Sequence, residues 1–226
     1  DLRHPLLLRL SSEAEGTFHH SIQVATLAAN AAERIGANSF IARVGGYFHD
    51  IGKLSKPYFF VENTSIAQSA SVHDNISPSM SALVIMSHVK DGVALAHHYN
   101  MPQPIIDIIK QHHGTTTIAY FLNKARTLAE KNAASGLAKE TIDESLYRYP
   151  GPSPISKEAG IVMLADSIEA ASRSIDKPTP AKLDALIRDI INQKILDGQL
   201  DHCELTNQDI ATIKSVFTIS LTNSLH

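Results

Sequence analysis

The chain has 226 residues, 43% of them hydrophobic and 19% charged, which is enough for one well-buried core. No apolar run approaches the roughly 20 residues that a membrane span needs. A net charge of −3 leaves no basic footprint for duplex nucleic acid, and a single cysteine, Cys203, excludes an internal disulfide and a cysteine-built zinc site. The informative count is the 12 histidines, because any metal here must be held by His, Asp or Glu. The chain opens Asp1-Leu2-Arg3-His4-Pro5, without an initiator methionine or a signal peptide, and is expected to be a segment of a longer protein.

From Glu13 to Ile35, apolar residues recur at spacings of three and four (Phe18, Ile22, Ala25, Ala28, Ala29, Ala32), and Gly36 follows, so this stretch predicts a helix. His19 and His20 lie about 100° apart on it, and at most one of them can face the core. Ser39 is expected to cap a second helix running through Val44 and Phe48 to His49-Asp50 and ending near Gly52. An ionised carboxylate beside an imidazole in so apolar a segment is costly unless something compensates, and a metal ion does so well. Residues 58–75 show no sustained period and read as a loop. His73-Asp74, a second His-Asp pair, precedes Ser77 and Pro78, an N-cap and first-turn proline, and is assigned to helix-entry chemistry rather than to metal.

The next helix carries Met80, Leu83, Val84, Met86 and Val89, with His88 in its last turn. Asp91-Gly92 is expected to break it before it resumes towards His97 and His98, which read as a solvated helix end. Ile105, Ile106, Ile108 and Ile109 form an apolar face leading to His112-His113-Gly114. Two histidines at a helix end suit its dipole, but they also repeat the layout of His49-Asp50. A helix over Ile118 to Ala134, a short one starting at Thr141, and a proline-bounded loop through Arg148-Tyr149-Pro150 follow. Ser156 caps a helix whose buried face is Ile161, Leu164, Ala165, Ile168 and Ala171, and Asp166 lies one residue off that face. Two amphipathic helices, Pro180 to Ile195 and Asn207 to Thr222, close an all-α chain, with Asp209 and Lys214 on solvated faces.

Collected, the interior or helix-end polar residues are His20, His49, Asp50, His88, His112, His113 and Asp166, drawn from at least five helices. A helix bundle can bring such side chains together. Five histidines and two aspartates exceed the needs of one ion and suit two, with Asp50 as the bridge, because a carboxylate has two oxygens. The donor set lacks thiolate and favours iron, manganese or another borderline divalent ion.

The order H…HD…H…HH…D resembles the HD-domain phosphohydrolases, specifically their binuclear branch. Gly16-Thr17-Phe18-His19-His20-Ser21, His49-Asp50-Ile51-Gly52-Lys53, His73-Asp74-Asn75-Ile76-Ser77-Pro78, Ser87-His88-Val89-Lys90-Asp91-Gly92, Gln111-His112-His113-Gly114-Thr115 and Arg148-Tyr149-Pro150-Gly151-Pro152 resemble the cytosolic HD domain of 7TM-HD membrane proteins, the PgpH-type cyclic di-AMP phosphodiesterases. The resemblance runs from about residue 14 to residue 175. It implies one compact multi-helix HD-domain bundle over 1–226, cytoplasmic and belonging to a protein of the inner or plasma membrane. It further implies that His20, His49, Asp50 and Asp166 hold one ion, that His88, His112 and His113 hold the second with Asp50 shared, and that the metals are iron or manganese.

The expected reaction is hydrolysis of cyclic di-AMP to the linear dinucleotide pApA, by hydroxide derived from a bridging water. The His-His-Glu and Gly-Tyr-Pro signature of the related cyclic di-GMP enzymes is absent, since His112-His113 is followed by Gly114-Thr115-Thr116. Lys53 is either a phosphate contact that assists Asp50 in catalysis or a surface lysine after a helix end. Arg148 and Tyr149 are either substrate contacts or part of a turn. Competing readings are a one-ion HD nucleotide phosphohydrolase, a cyclic di-GMP phosphodiesterase and a non-catalytic nucleotide sensor. The two C-terminal helices either cover the core or pair with a second copy in a homodimer.

Overall fold

The computed structural model describes residues 1–225. Among the described residues, ten α-helices run in order: α1 (Pro5–Glu13), α2 (Glu15–Ile35), α3 (Ser39–Phe48), α4 (Ile66–Asp74), α5 (Pro78–His98), α6 (Gln103–Gln111), α7 (Ala119–Ala134), α8 (Lys157–Ser172), α9 (Pro180–Leu196) and α10 (Asn207–Asn223). Short 3₁₀ turns fill Ile51–Ser55, Pro57–Phe59, Val61–Asn63 and Glu144–Tyr147. Among the described residues there is no strand, only an isolated antiparallel bridge between Thr117 and Arg148. The all-α expectation is met.

α8 is the axis of the molecule. Ten of its residues are buried, because α2, α3, α6 and α9 all pack on it, and their apolar faces meet in one cluster with α10 through Phe217 and Ile213. A second cluster joins α1, α3, α6 and the end of α5 through Leu6, Leu10, Phe48 and Ile109. A third lies where α7 and Tyr147 meet the middle of α5. The polar residues described below sit where these clusters come together.

Several boundaries differ from the sequence expectation. α1 is not indicated by periodicity, because the three consecutive leucines Leu6 to Leu8 carry no helical spacing; it forms by burying Leu6, Leu7 and Leu10, and His4 Nδ1 caps it by accepting from the Leu6 N–H. Ala14 alone leaves helical geometry, with φ −147°, so α2 starts at Glu15 rather than continuing from Glu13. Asn38, not Ser39, caps α3, its Oδ1 accepting from the Ile41 N–H at 3.0 Å. α3 stops at Phe48 rather than near Gly52, and a 3₁₀ turn takes over from Ile51.

The stretch expected as a loop contains 3₁₀ turns and α4, whose capping box pairs Ser65 with Gln68. His73 is therefore at a helix end rather than a helix entry, and its ring nitrogens are taken up by Ser81 Oγ and the Phe59 carbonyl. The short helix expected from Thr141 is a 3₁₀ turn beginning at Glu144.

α5 is continuous through Asp91-Gly92, so His88 is mid-helix. Gly92 is there for closeness, not as a breaker. A Cβ on it would meet Ile109 Cγ2 at 2.9 Å, and one on the facing Gly52 would meet the His88 carbonyl oxygen at 1.7 Å. These two glycines let the turn carrying Lys53 lie directly on α5. Met80 and Leu83 are exposed, because the first turns of α5 turn Ser81 and Ala82 inwards, Ala82 against α7, and so point the neighbouring positions outwards.

Candidate metal centre

Each sequence-predicted ligand reaches one place from a different element. His20 comes from the second turn of α2, which buries it and leaves His19 in solvent. His49 and Asp50 follow α3, His88 is on the inner face of α5, and His112 and His113 follow α6. Asp166 is in the middle of α8, on a helix so enclosed that a position one residue off its apolar face is still buried. Two groups result, His20 with His49, Asp50 and Asp166, and Asp50 with His88, His112 and His113; within each, the potential ligand atoms all lie within 4.8 Å of one another.

Asp50 belongs to both groups and divides its oxygens between them. Oδ2 lies 3.3 Å from His49 Nε2 and 3.7 Å from His20 Nε2, whereas Oδ1 lies 3.3 Å from His88 Nε2 and 3.5 Å from His112 Nε2. Asp166 faces the first group, with Oδ1 at 2.9 Å from His20 Nε2 and 3.7 Å from His49 Nε2, and its Oδ2 is 3.7 Å from His113 Nδ1.

The backbone fixes which imidazole nitrogens carry lone pairs. Nδ1 of His49, His88 and His112 sits 2.6–2.7 Å from the carbonyl oxygen three residues earlier, of Gly46, Ile85 and Ile109, so Nδ1–H donates there and Nε2 is left bare. His88 Nε2 and His112 Nε2 then face each other at 3.4 Å as two acceptors, with no proton to share. His49 Nε2 and both oxygens of Asp50 are buried without a hydrogen-bond partner among the described residues, although Lys53 Nζ stands 2.8 Å from Asp50 Oδ2. Converging lone pairs and a buried carboxylate call for cations between them, and divalent metal ions fit this donor set.

The charges are consistent with that reading. Burial, the largest effect, works against ionisation of Asp50 and Asp166, yet Lys53 and His49 for the first, and His20 and His49 for the second, hold both carboxyls well below the usual aspartate range. Burial likewise opposes charge on His49, but Asp50 and Asp166 lift it to about 10. Burial pushes His113 well below the ordinary histidine value, with the neighbouring His112 adding to it. With no cation bound, the two fixed anions thus hold a proton on His49, while His113 stays neutral; a divalent ion held there would displace the His49 proton and take over the same balancing charge.

A cavity of about 460 Å³ opens onto the centre, with His20, His88, His113 and Asp166 among the residues that line it. Tyr149 lines it, its ring stacked on His113 at 4.3 Å between centroids. Lys53 also lines it, its Nζ held by Asp50 and, at 2.6 Å, by Glu62 Oε1. Arg148 is outside this lining, and its guanidinium is taken up by Asp197 and the Thr115 carbonyl.

Three residues that sequence reasoning passed over belong to this site. Glu62, half-buried in the segment read as loop, is the partner of Lys53 and of Thr17. Glu169, buried on α8, hydrogen-bonds His20 Nδ1, and Arg173 pairs with Glu169 and lines the cavity. The spacing held a signal, since Asp166, Glu169 and Arg173 recur at three and four residues, on one face of a helix.

A family model described as the HD domain matches residues 17–171. The chain belongs to the HD-domain family. Over 223 residues this HD domain is 41% identical to the cyclic-di-AMP phosphodiesterase PgpH of Bacillus subtilis and 44% identical to that of Listeria monocytogenes serotype 1/2a, covering 99% of the chain in both cases. It spans about 30% of the length of those curated relatives (30% and 29%). A crystal structure of the L. monocytogenes phosphodiesterase PgpH HD domain in complex with cyclic-di-AMP superposes with a TM-score of 0.89 at 44% identity, covering 99% of this chain and 98% of that one.

Proposed function

We propose that this HD domain is a binuclear, metal-dependent phosphodiesterase that opens a cyclic dinucleotide, cyclic di-AMP in preference to cyclic di-GMP, to the linear dinucleotide pApA. The observation that carries the binuclear reading is the division of the Asp50 oxygens between two groups of bare imidazole nitrogens. The choice of cyclic di-AMP is supported by the relatives, whose names give that substrate. We further propose that residues 1–226 act as one HD unit, with a metal core over about 14–175 closed by the helices of 180–222. On this reading it is the cytoplasmic part of a longer inner- or plasma-membrane protein; among the described residues no helix is long and apolar enough to cross a membrane.

His20, His49, Asp166 and Asp50 Oδ2 would hold one ion, and His88, His112, His113 and Asp50 Oδ1 the other. When bound, two divalent ions, iron or manganese by donor type and family resemblance, supply Lewis acidity towards a phosphodiester and acidify water enough to give a nucleophile near neutral pH. The Gly46, Ile85 and Ile109 carbonyls keep Nδ1 protonated and so aim Nε2 inwards. Lys53 orients Asp50 and presents its ammonium to a phosphate oxygen from the cavity wall. Tyr149 forms the wall over His113, and Arg148 anchors the segment that carries it through Asp197. Addition of water at one phosphorus breaks its bond to ribose O3′, leaving a 3′-hydroxyl and a 5′-phosphate.

The test is hydrolysis of both cyclic dinucleotides by the domain loaded with manganese or with iron(II). Turnover of cyclic di-AMP above cyclic di-GMP is expected. Asp50→Ala is expected to lower turnover by about a hundredfold or more and to reduce the occupancy of both ions. Retained activity in that variant would refute the bridge. Binding of cyclic di-AMP with no turnover under either metal would make the domain a nucleotide sensor.

A further inference from the structure

A cyclic dinucleotide carries two phosphodiesters, and the groups that converge on Asp50 can act on only one of them at a time. The other brings a full negative charge into a cavity whose wall already contains Glu62 and Asp166. Two permanent cations line that wall, Lys53 and Arg173. Lys53 is already balanced, with Asp50 Oδ2 at 2.8 Å and Glu62 Oε1 at 2.6 Å on one ammonium.

Arg173 is not. Its Nε pairs with Glu169 Oε1 at 3.2 Å, while the other oxygen of that carboxylate is occupied by His20 Nδ1. Among the described residues no acceptor is paired with either Nη of Arg173, and its side chain is 46% exposed. We infer that Arg173 is the subsite for the substrate phosphate that is not cut. This assignment rests on the cyclic-dinucleotide reading above.

The position suits the role. Arg173 follows the last residue of α8, seven residues beyond Asp166, or about 10 Å along the axis at 1.5 Å per residue. Side chains on a helix lean towards its N-terminus, and the contact with Glu169 shows that Arg173 leans back towards the metal centre. A guanidinium offers paired N–H donors in a fixed plane, matched to two phosphate oxygens, and burial of Glu169 on the Nε side leaves the Nη edge for a ligand. Ser167 and Ser174 line the same wall beside it.

The test compares cyclic di-AMP with bis(p-nitrophenyl) phosphate, a diester with a single phosphate, on the manganese-loaded protein. In Arg173→Ala, the ratio of kcat/KM for the dinucleotide to that for the one-phosphate diester is expected to fall at least tenfold, mainly through KM, with the manganese content retained. Arg173→Lys, which keeps the charge but loses the fork, should fall between the parent and the alanine variant. A ratio within twofold of the parent overturns the assignment. So does a parallel loss on both substrates with loss of manganese, which would mean that Arg173 acts only by holding Glu169 against His20. If the parent protein hydrolyses the one-phosphate diester but neither cyclic dinucleotide, the functional reading has failed, and the subsite falls with it.

Discussion

Three of the imidazoles aimed at Asp50 are oriented by a backbone carbonyl, and one is not. His49, His88 and His112 each donate Nδ1–H to a neutral peptide oxygen, whereas His20 uses the carboxylate of Glu169. A carboxylate partner makes the ligating nitrogen a stronger donor than a carbonyl does, and removal of such a partner typically weakens metal binding tenfold or more. Glu169→Gln keeps the shape and an acceptor oxygen but removes the charge. We expect it to weaken manganese binding at the His20 group by about tenfold, seen as one weakened site of two in a manganese titration followed by electron paramagnetic resonance. Two unaffected sites would show that Glu169 merely pairs with Arg173. The seven residues that converge were legible as candidates, because a histidine or aspartate in an apolar segment stands out, but the choice of His20 over His19 and the division into two ligand sets came from the family resemblance. Glu169 and Glu62 were not. The first reads equally well as an i, i+4 partner for Arg173, which it also is, and the second lies in a stretch without period.

Among the elements, the long periodic helices were readable and their joints were not, for identifiable reasons. Gly92 looks like a breaker in sequence but is packing α5 onto Gly52, a contact between residues far apart in the chain. α4 lacked a sustained apolar period, and its start is set by the Ser65–Gln68 capping box. A box of the same kind starts α10, where Thr206 Oγ1 accepts from the Asp209 N–H and Asp209 Oδ2 accepts from the Thr206 N–H, both at 3.0 Å. Asp209 also pairs with Lys157 at 3.1 Å, fastening α10 to the first turn of α8, so it is more than the solvated residue its pattern suggests. Asp209→Asn should cost about 0.3–1 kcal/mol at neutral pH, by loss of a charge near the helix N-terminus. The Thr206 N–H first, and Lys157 with it, hold the Asp209 carboxyl below its ordinary value of 3.8. A depressed pKa means that the stabilisation is complete above that ordinary value and is lost as the pH falls through the lower, folded-state one. Thermal melts of the variant and parent should therefore differ near pH 7 and draw together in acid; a gap that stays constant with pH would assign the cost to packing rather than to charge.

At the scale of the whole molecule, the all-α class followed from the absence of any strand-like alternation. Which helices are neighbours was not readable from periodicity, since an amphipathic face does not name its partner. What the assembled fold adds is a centre at which α2, α3, α5, α6 and α8 all contribute a polar group to the meeting point of their apolar faces. Without cations, the same point sets His88 Nε2 against His112 Nε2 and leaves two buried carboxylates balanced by Lys53 and a protonated His49, so the packing that assembles the site also strains it electrostatically. The unfolded chain has no such convergence, and metal ions must therefore bind the folded state preferentially and stabilise it. At a free metal concentration about 100 times the dissociation constant, the gain is about 2.7 kcal/mol for one site, or about 5–10 °C in Tm for a chain of this size. Chelation of the loaded protein should lower Tm by at least that much, and re-addition of manganese should restore it. In Asp50→Ala, where both groups lose their shared oxygen donor, the response to manganese should largely vanish. A parent protein whose melting is indifferent to chelation would mean that the converging lone pairs are held apart by packing alone, and the case for a metal centre would fail on thermodynamic grounds, independently of any activity measurement.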